Sequence, residues 1–164
     1  MTIRANLLRT NRKDLKEALE NQGFQVQEGV HVPESLLVSG NALLETAEFQ
    51  KGWFSVQDES SMLAVHTLDP HPGEQILDLC AAPGGKTLFL AERMKNQGKI
   101  LAGDLHPHKL ELIRQAAERN GITMVETRCH DATQGDSSLL AWADRILVDA
   151  PCSGLGVLRR KPEI

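Results

Sequence analysis

The stretch Ile76-Leu77-Asp78-Leu79-Cys80-Ala81-Ala82-Pro83-Gly84-Gly85-Lys86-Thr87 passes from an apolar strand, through small residues, into the start of a helix. Missing side chains let a ligand approach the backbone there, and the first turn of a helix offers unpaired N–H groups and positive potential to an anion. The stretch reads as a cofactor loop. It matches neither G-x-G-x-x-G nor the phosphate loop G-x-x-x-x-G-K-[ST]: Gly85-Lys86-Thr87 suit the second, but Cys80 stands where its first glycine belongs. The glycines alone fit a ligand-free tight turn equally well.

Working outward, the pattern predicts strands over 75–79, 99–103, 123–128 and 144–148 and helices over 87–96 and 107–120. Strands alternating with amphipathic helices in units of this length imply an α/β fold with parallel βαβ layering. Asp104 follows the second strand and lies 19 residues beyond Gly85, near the separation of about 20 at which an acid meets ribose hydroxyls. Its other reading is a cap on the helix that starts at Pro107. Asp131 ends the third strand, where a carboxylate can accept from an adenine amino group or simply make a turn. Asp149 ends the fourth. Three acids closing three strands at the ligand-binding face weigh more than any one of them. With the loop, they describe a site for a nucleoside whose far end bears a carboxylate and an amine, and S-adenosylmethionine is such a molecule.

Upstream, residues 1–50 read as a small α+β unit and 51–164 as the second unit. Strands are expected over 2–8, around Phe24 and Val26, around Val30 and Val32 after a turn at Gly29, and over 36–38, with a helix over 11–22. This order suggests a half-open sandwich. A strand over 53–57 then leads to a helix capped by Asp58 or Ser60, and the Gln57 to Ser61 segment either shapes the substrate side of the site or is an ordinary cap. The net charge of −4 argues against bulk attraction to nucleic acid, yet residues 1–16 carry a local +4 through Arg4, Arg9, Arg12, Lys13 and Lys16. Those residues either guide RNA or form a solvated basic face, and no aromatic precedes Phe49 except Phe24 to make a stacking platform. Arg159, Arg160 and Lys161 make a second basic cluster.

Apolar residues are 41% and charged residues 24% of the 164, ordinary for a globular domain, and no run approaches the roughly 20 apolar residues that span a bilayer. No membrane role is expected. Cys80, Cys129 and Cys152 are too few and too far apart for a disulfide framework or a zinc knuckle, so a reducing cytoplasm is the natural setting. His106 and His108 flank Pro107 without acidic or cysteine partners at ligand spacing, so no metal is expected.

After Asp149 comes Ala150-Pro151-Cys152-Ser153-Gly154, which puts a thiol beside the reactive end of the cofactor. Carbon 5 of a pyrimidine is a poor nucleophile until a thiolate adds at carbon 6, so methylation there needs such a group. Taken alone, Cys152 fits a small buried hydrophobe as well. Asp78 to Thr87 together with Asp149 to Gly154 resemble the NOP/Sun family of RNA 5-methylcytosine methyltransferases. Gly156-Val157-Leu158-Arg159-Arg160-Lys161-Pro162-Glu163 and Val56-Gln57-Asp58-Glu59-Ser60-Ser61 are similar to its bacterial Sun or Fmu branch, which methylates a cytosine in small-subunit ribosomal RNA.

The resemblance implies a Rossmann-like methyltransferase sheet preceded by a small RNA-recognition-like domain. It assigns Cys80, Ala81, Ala82, Pro83, Gly84, Gly85 and Lys86 to the methionine part of S-adenosylmethionine, Asp104 to the ribose and Asp131 to the adenine. Asp149 falls near the methyl-transfer centre and Cys152 on the cysteine that helps release product. The nucleophile the resemblance implies follows a threonine on a later strand, beyond Ile164. The chain therefore reads as the first four strands of a longer sheet, inactive alone. A fourth strand lacking its usual neighbour would expose Ile146 and Val148 on an edge prone to self-association. Two other readings are a phosphate-loop nucleotidase, built on Gly85-Lys86-Thr87 and Asp149, and a non-catalytic RNA-binding module.

Overall fold

The computed structural model describes residues 1–150. They form two four-stranded sheets. The first is antiparallel, built from β1 (Thr2–Ala5), β2 (Gln25–Glu28), β3 (Ser35–Ser39) and β4 (Phe54–Val56), in the order β2-β3-β1-β4. Helix α1 (Arg12–Glu20) follows β1, and the short α2 (Ala47–Gln50) precedes β4. The connectivity is that of a split βαβ unit. Because β4 pairs with β1, this sheet extends past residue 50.

Strand alternation gives the sheet two faces of different character. Ile3, Ala5, Leu36, Val38 and Phe54 face Leu15 and Leu19 of α1, and all are buried. Arg4 points the other way, with Ser35 and Ser55 directly opposite it on β3 and β4. This buried polar row ties the sheet to three helices of the second unit. Arg4 pairs with Glu92, the Ser35 hydroxyl donates to Glu59 at 2.6 Å, and the Ser55 hydroxyl donates to Asn120 at 3.3 Å. The face that the sequence leaves half open is thus closed.

Two strand limits move for local reasons. β1 stops at Ala5, not at residue 8, because the Asn6 carbonyl and side chain accept from Leu8, Arg9 and Thr10 and turn the chain. No strand forms at Val30 and Val32. The Glu59 carboxylate instead gathers the His31 and Val32 N–H groups into a loop, and these contacts with Ser35 hold its pKa below the usual carboxylate range.

The second sheet is parallel, with β5 (Gln75–Asp78), β6 (Lys99–Asp104), β7 (Val125–Cys129) and β8 (Arg145–Leu147) in the order β7-β6-β5-β8. Helix α3 (Glu59–Leu68) leads into it, α4 (Gly85–Arg93) connects β5 to β6, and α5 (Pro107–Asn120) connects β6 to β7. From Thr87 to Glu92 every residue of α4 is buried. A helix apolar on all sides is one covered on all sides, and α4 packs beneath Ile76 and Ile100 while Phe89 stacks under the Arg4 guanidinium, 4.5 Å from its ring centre.

The basic N-terminus has a structural explanation. Arg4 is wholly buried, Arg12 and Lys16 both pair with Glu28, and Lys13 approaches Glu17. Arg9 is exposed, and the other basic residues of this segment each have an acidic partner, Glu28 being shared by two of them. Among the described residues no helix is long and apolar enough to cross a membrane, and no three His, Cys, Asp or Glu side chains converge to hold a metal.

Candidate functional site

Parallel pairing brings the carboxyl ends of all four strands to one edge of the second sheet. Chain order reverses at β5, which has β6 on one side and β8 on the other. Such a switch point opens a crevice beyond the strand tips, where α/β sheets take their ligands.

The loop after β5 crosses this crevice. The Ala81 N–H donates to the Gly103 carbonyl at 2.8 Å, and the Gly84 N–H donates to the Ala81 carbonyl at 2.8 Å. Gly84 then caps α4 at φ 106°, a left-handed conformation that glycine adopts without strain. Helix α4 thereby begins at Gly85, two residues earlier than the side-chain pattern predicts. Gly84 makes the bend, while Cys80, Ala81, Ala82, Pro83, Gly85 and Lys86 form the wall of a cavity of about 200 Å³.

Asp78, Asp149 and Gln57 complete that cavity. Lys86 Nζ lies 2.5 Å from Asp149 Oδ2. The Thr87 hydroxyl donates to Asp78 at 2.7 Å, yet burial outweighs this bond and pushes the Asp78 carboxyl up to about 6. Asp78 is the site residue that sequence reasoning missed. A carboxylate inside Ile76-Leu77-Asp78-Leu79, a run otherwise fit for a buried strand, was the available signal.

Cys80 also lines a second cavity, of about 370 Å³, with Asp104, His106, Asp131 and Thr133. The His106 N–H donates to Asp104 at 3.0 Å and fixes the carboxylate at the tip of β6. Asp131 accepts from the hydroxyl and N–H of Thr133 at 2.7 and 2.9 Å, which hold its pKa below the ordinary value. The two cavities share Cys80 in their walls, and the pair is termed an acid-lined trough. Burial, then the carboxylates of Asp78, Asp104 and Asp149, push the Cys80 thiol up, so it remains protonated at neutral pH. Cys152 lies outside the described residues.

A parallel sheet of order β7-β6-β5-β8 with this trough at its switch point has the α/β fold of S-adenosylmethionine-dependent methyltransferases. It is similar to a solved methyltransferase homologue from Pyrococcus horikoshii, with a TM-score of 0.82 and 34% identity over 97% of this chain and 52% of that one. The family model of 16S rRNA methyltransferase RsmB/F matches residues 65–164, and the chain belongs to that family. It is 43% identical to the probable ribosomal RNA small subunit methyltransferase B of Bacillus subtilis strain 168, over 99% of this chain and 37% of that protein. It is 38% identical to the human 28S rRNA (cytosine(4447)-C(5))-methyltransferase, over all of this chain and 20% of that protein. The chain thus spans well under half the length of these curated relatives.

Proposed function

We propose that this chain carries the cofactor half of an enzyme that uses S-adenosylmethionine to methylate carbon 5 of a cytosine in small-subunit ribosomal RNA, in the cytoplasm. The observation that carries the reading is the trough, whose two ends differ as the two ends of that molecule differ. Asp104 and Asp131 suit a ribose diol and an adenine amino group, since both present carboxylate acceptors. The first turn of α4 suits a carboxylate, and the neighbouring Asp78 and Asp149 suit an amine. Family membership supports the same reading.

Bound there, the sulfonium supplies an electrophilic methyl group. The chain's own residues orient and shield it. Asp104 is held by His106, and the loop from Cys80 to Lys86 forms one wall of the smaller cavity. A target cytosine stacked in a helix must leave it to reach the methyl group. Cys80 is poorly suited to activate it, because burial, and then the surrounding carboxylates, oppose thiolate formation. In this reading Cys152, outside the described residues, falls among the family's thiols, and residues 1–150 supply binding.

The phosphate-loop reading is weaker. A polyphosphate would meet the carboxylates of Asp78 and Asp149, and Lys86 is already engaged by Asp149. Calorimetry with S-adenosylhomocysteine and with ATP separates the two. We expect binding of the first, weakened about a hundredfold by Asp104→Ala as charge-assisted hydrogen bonds are lost; heat from ATP alone would overturn the proposal.

The reading also includes self-association of this chain. β8 pairs with β5 along one edge, and Ile146 and Val148 are 52% and 57% exposed. Apolar side chains on an unpaired edge favour pairing with another copy. Light scattering after gel filtration should give a mass that rises with concentration, and a monomer at all concentrations would refute this part.

A further inference from the structure

Gln57 sits between β4 and α3, 93% removed from solvent by its 7% exposure, and lines the smaller cavity. Its Oε1 accepts from Arg4 Nη1. Arginine has no acceptor, so this contact fixes which way the amide faces. Nε2 is therefore turned away from Arg4, and it is buried with no hydrogen-bond partner among the described residues. A buried donor left without a partner costs free energy comparable to a lost hydrogen bond, so its persistence calls for a group outside residues 1–150.

The position of Nε2 identifies the kind of group. It lies 3.7 Å from where a Cβ on Gly85 would stand, at the first residue of the nine-residue helix α4. The opening of α4 favours negative charge, and an amide donor at its side adds a directed hydrogen bond. Arg4 Nη1 also donates to the Gly85 carbonyl at 3.1 Å, so the same guanidinium fixes both the amide and the start of the helix. Glu92 anchors that guanidinium from below with contacts of 2.6 and 3.1 Å.

We propose that Gln57 Nε2 donates to the carboxylate of the cofactor's amino-acid end, and that Arg4, on the first sheet, is the positioning residue that aims it. The inference rests on the function proposed above and deepens it: the antiparallel sheet is part of the cofactor site. The closing experiment compares S-adenosylhomocysteine, which has the carboxylate, with 5′-methylthioadenosine, which lacks the amino-acid end, on the 164-residue chain and two variants. Gln57→Met should weaken S-adenosylhomocysteine about tenfold, the loss expected of one hydrogen bond to a charged group, and leave methylthioadenosine unchanged. Gln57→Glu keeps an acceptor for Arg4 but sets an anion beside the carboxylate, so its loss should be larger and relieved at low pH. Equal losses for both ligands would mean a merely structural role, and no loss for either would assign the amide to another ligand such as the target base. Either result overturns the inference and leaves the proposed function standing. Failure of the unsubstituted chain to bind either ligand would remove both.

Discussion

The two ends of the trough are built differently. At the Lys86 end, each polar group is held by elements remote in sequence: Arg4 from β1 orders Gln57, Thr87 holds Asp78, and Asp149 holds Lys86. At the Asp131 end, the contacts are local, from Thr133 to Asp131 and from His106 to Asp104, each two residues on. The first arrangement is preformed, buried except at Lys86 and the exposed Asp149, and depends on tertiary structure. The second is assembled within turns, with Asp104 buried and Asp131 nearer the surface. A preformed end lowers the ordering cost of binding, whereas an end nearer the surface admits and releases the larger part of a ligand.

The strongest way to break this contrast is to remove Arg4. Arg4→Met would strand Glu92, whose carboxyl burial pushes up and Arg4 pulls back, and should lower stability by about 3–5 kcal/mol in urea unfolding. Adding Glu92→Met should recover most of the loss, because an apolar pair of similar volume replaces the ion pair at little net cost. If the single variant were as stable as the parent, the first sheet would not be supporting the loop.

Asp78 offers the next largest effect. Its carboxyl titrates near 6 in the fold against an ordinary 3.8, so the folded chain binds the proton more tightly than the unfolded chain. That contribution is complete below about pH 4 and is lost as pH rises through about 6. The lost stability is about 3 kcal/mol at most, from the size of the shift. Asp78→Asn should therefore gain on the parent between pH 4 and 7 in unfolding experiments. A constant difference would mean that the Asp78 carboxyl titrates alike in the folded and the unfolded chain.

The comparison sharpens at the Asp131 end. Asp104 is 9% exposed, and its loss should weaken S-adenosylhomocysteine about a hundredfold, as stated above. Asp131 faces water, so Asp131→Ala should cost only about threefold, since exposed polar contacts contribute little. Equal effects of the two substitutions in the same calorimetric experiment would show that both acids bind in comparable surroundings.

Much of this was legible in the chain. The switch from strand to small residues to helix at Asp78–Thr87 defines the loop, because only that backbone satisfies its apolar and glycine pattern. Asp104, Asp131 and Asp149 could be assigned to strand tips by counting, since parallel strands of similar length end at one edge. Val30 and Val32 were misleading: alternation alone predicts a strand, and it could not reveal that Glu59, 27 residues on from Val32, captures the Val32 N–H instead. Arg4 was misleading in the opposite way, as one charge in a basic run.

What sequence alone determined is the class of sheet, the loop and the acids, all features set by local periodicity and by short-range turn chemistry. Tertiary structure decided that Arg4 is an internal cation, that Asp78 titrates near 6 and that Gln57 is buried in the wall of a cavity. Each of these depends on how far a group is removed from water and on which distant partner meets it there. Burial and long-range pairing leave no periodic trace in the order of residues.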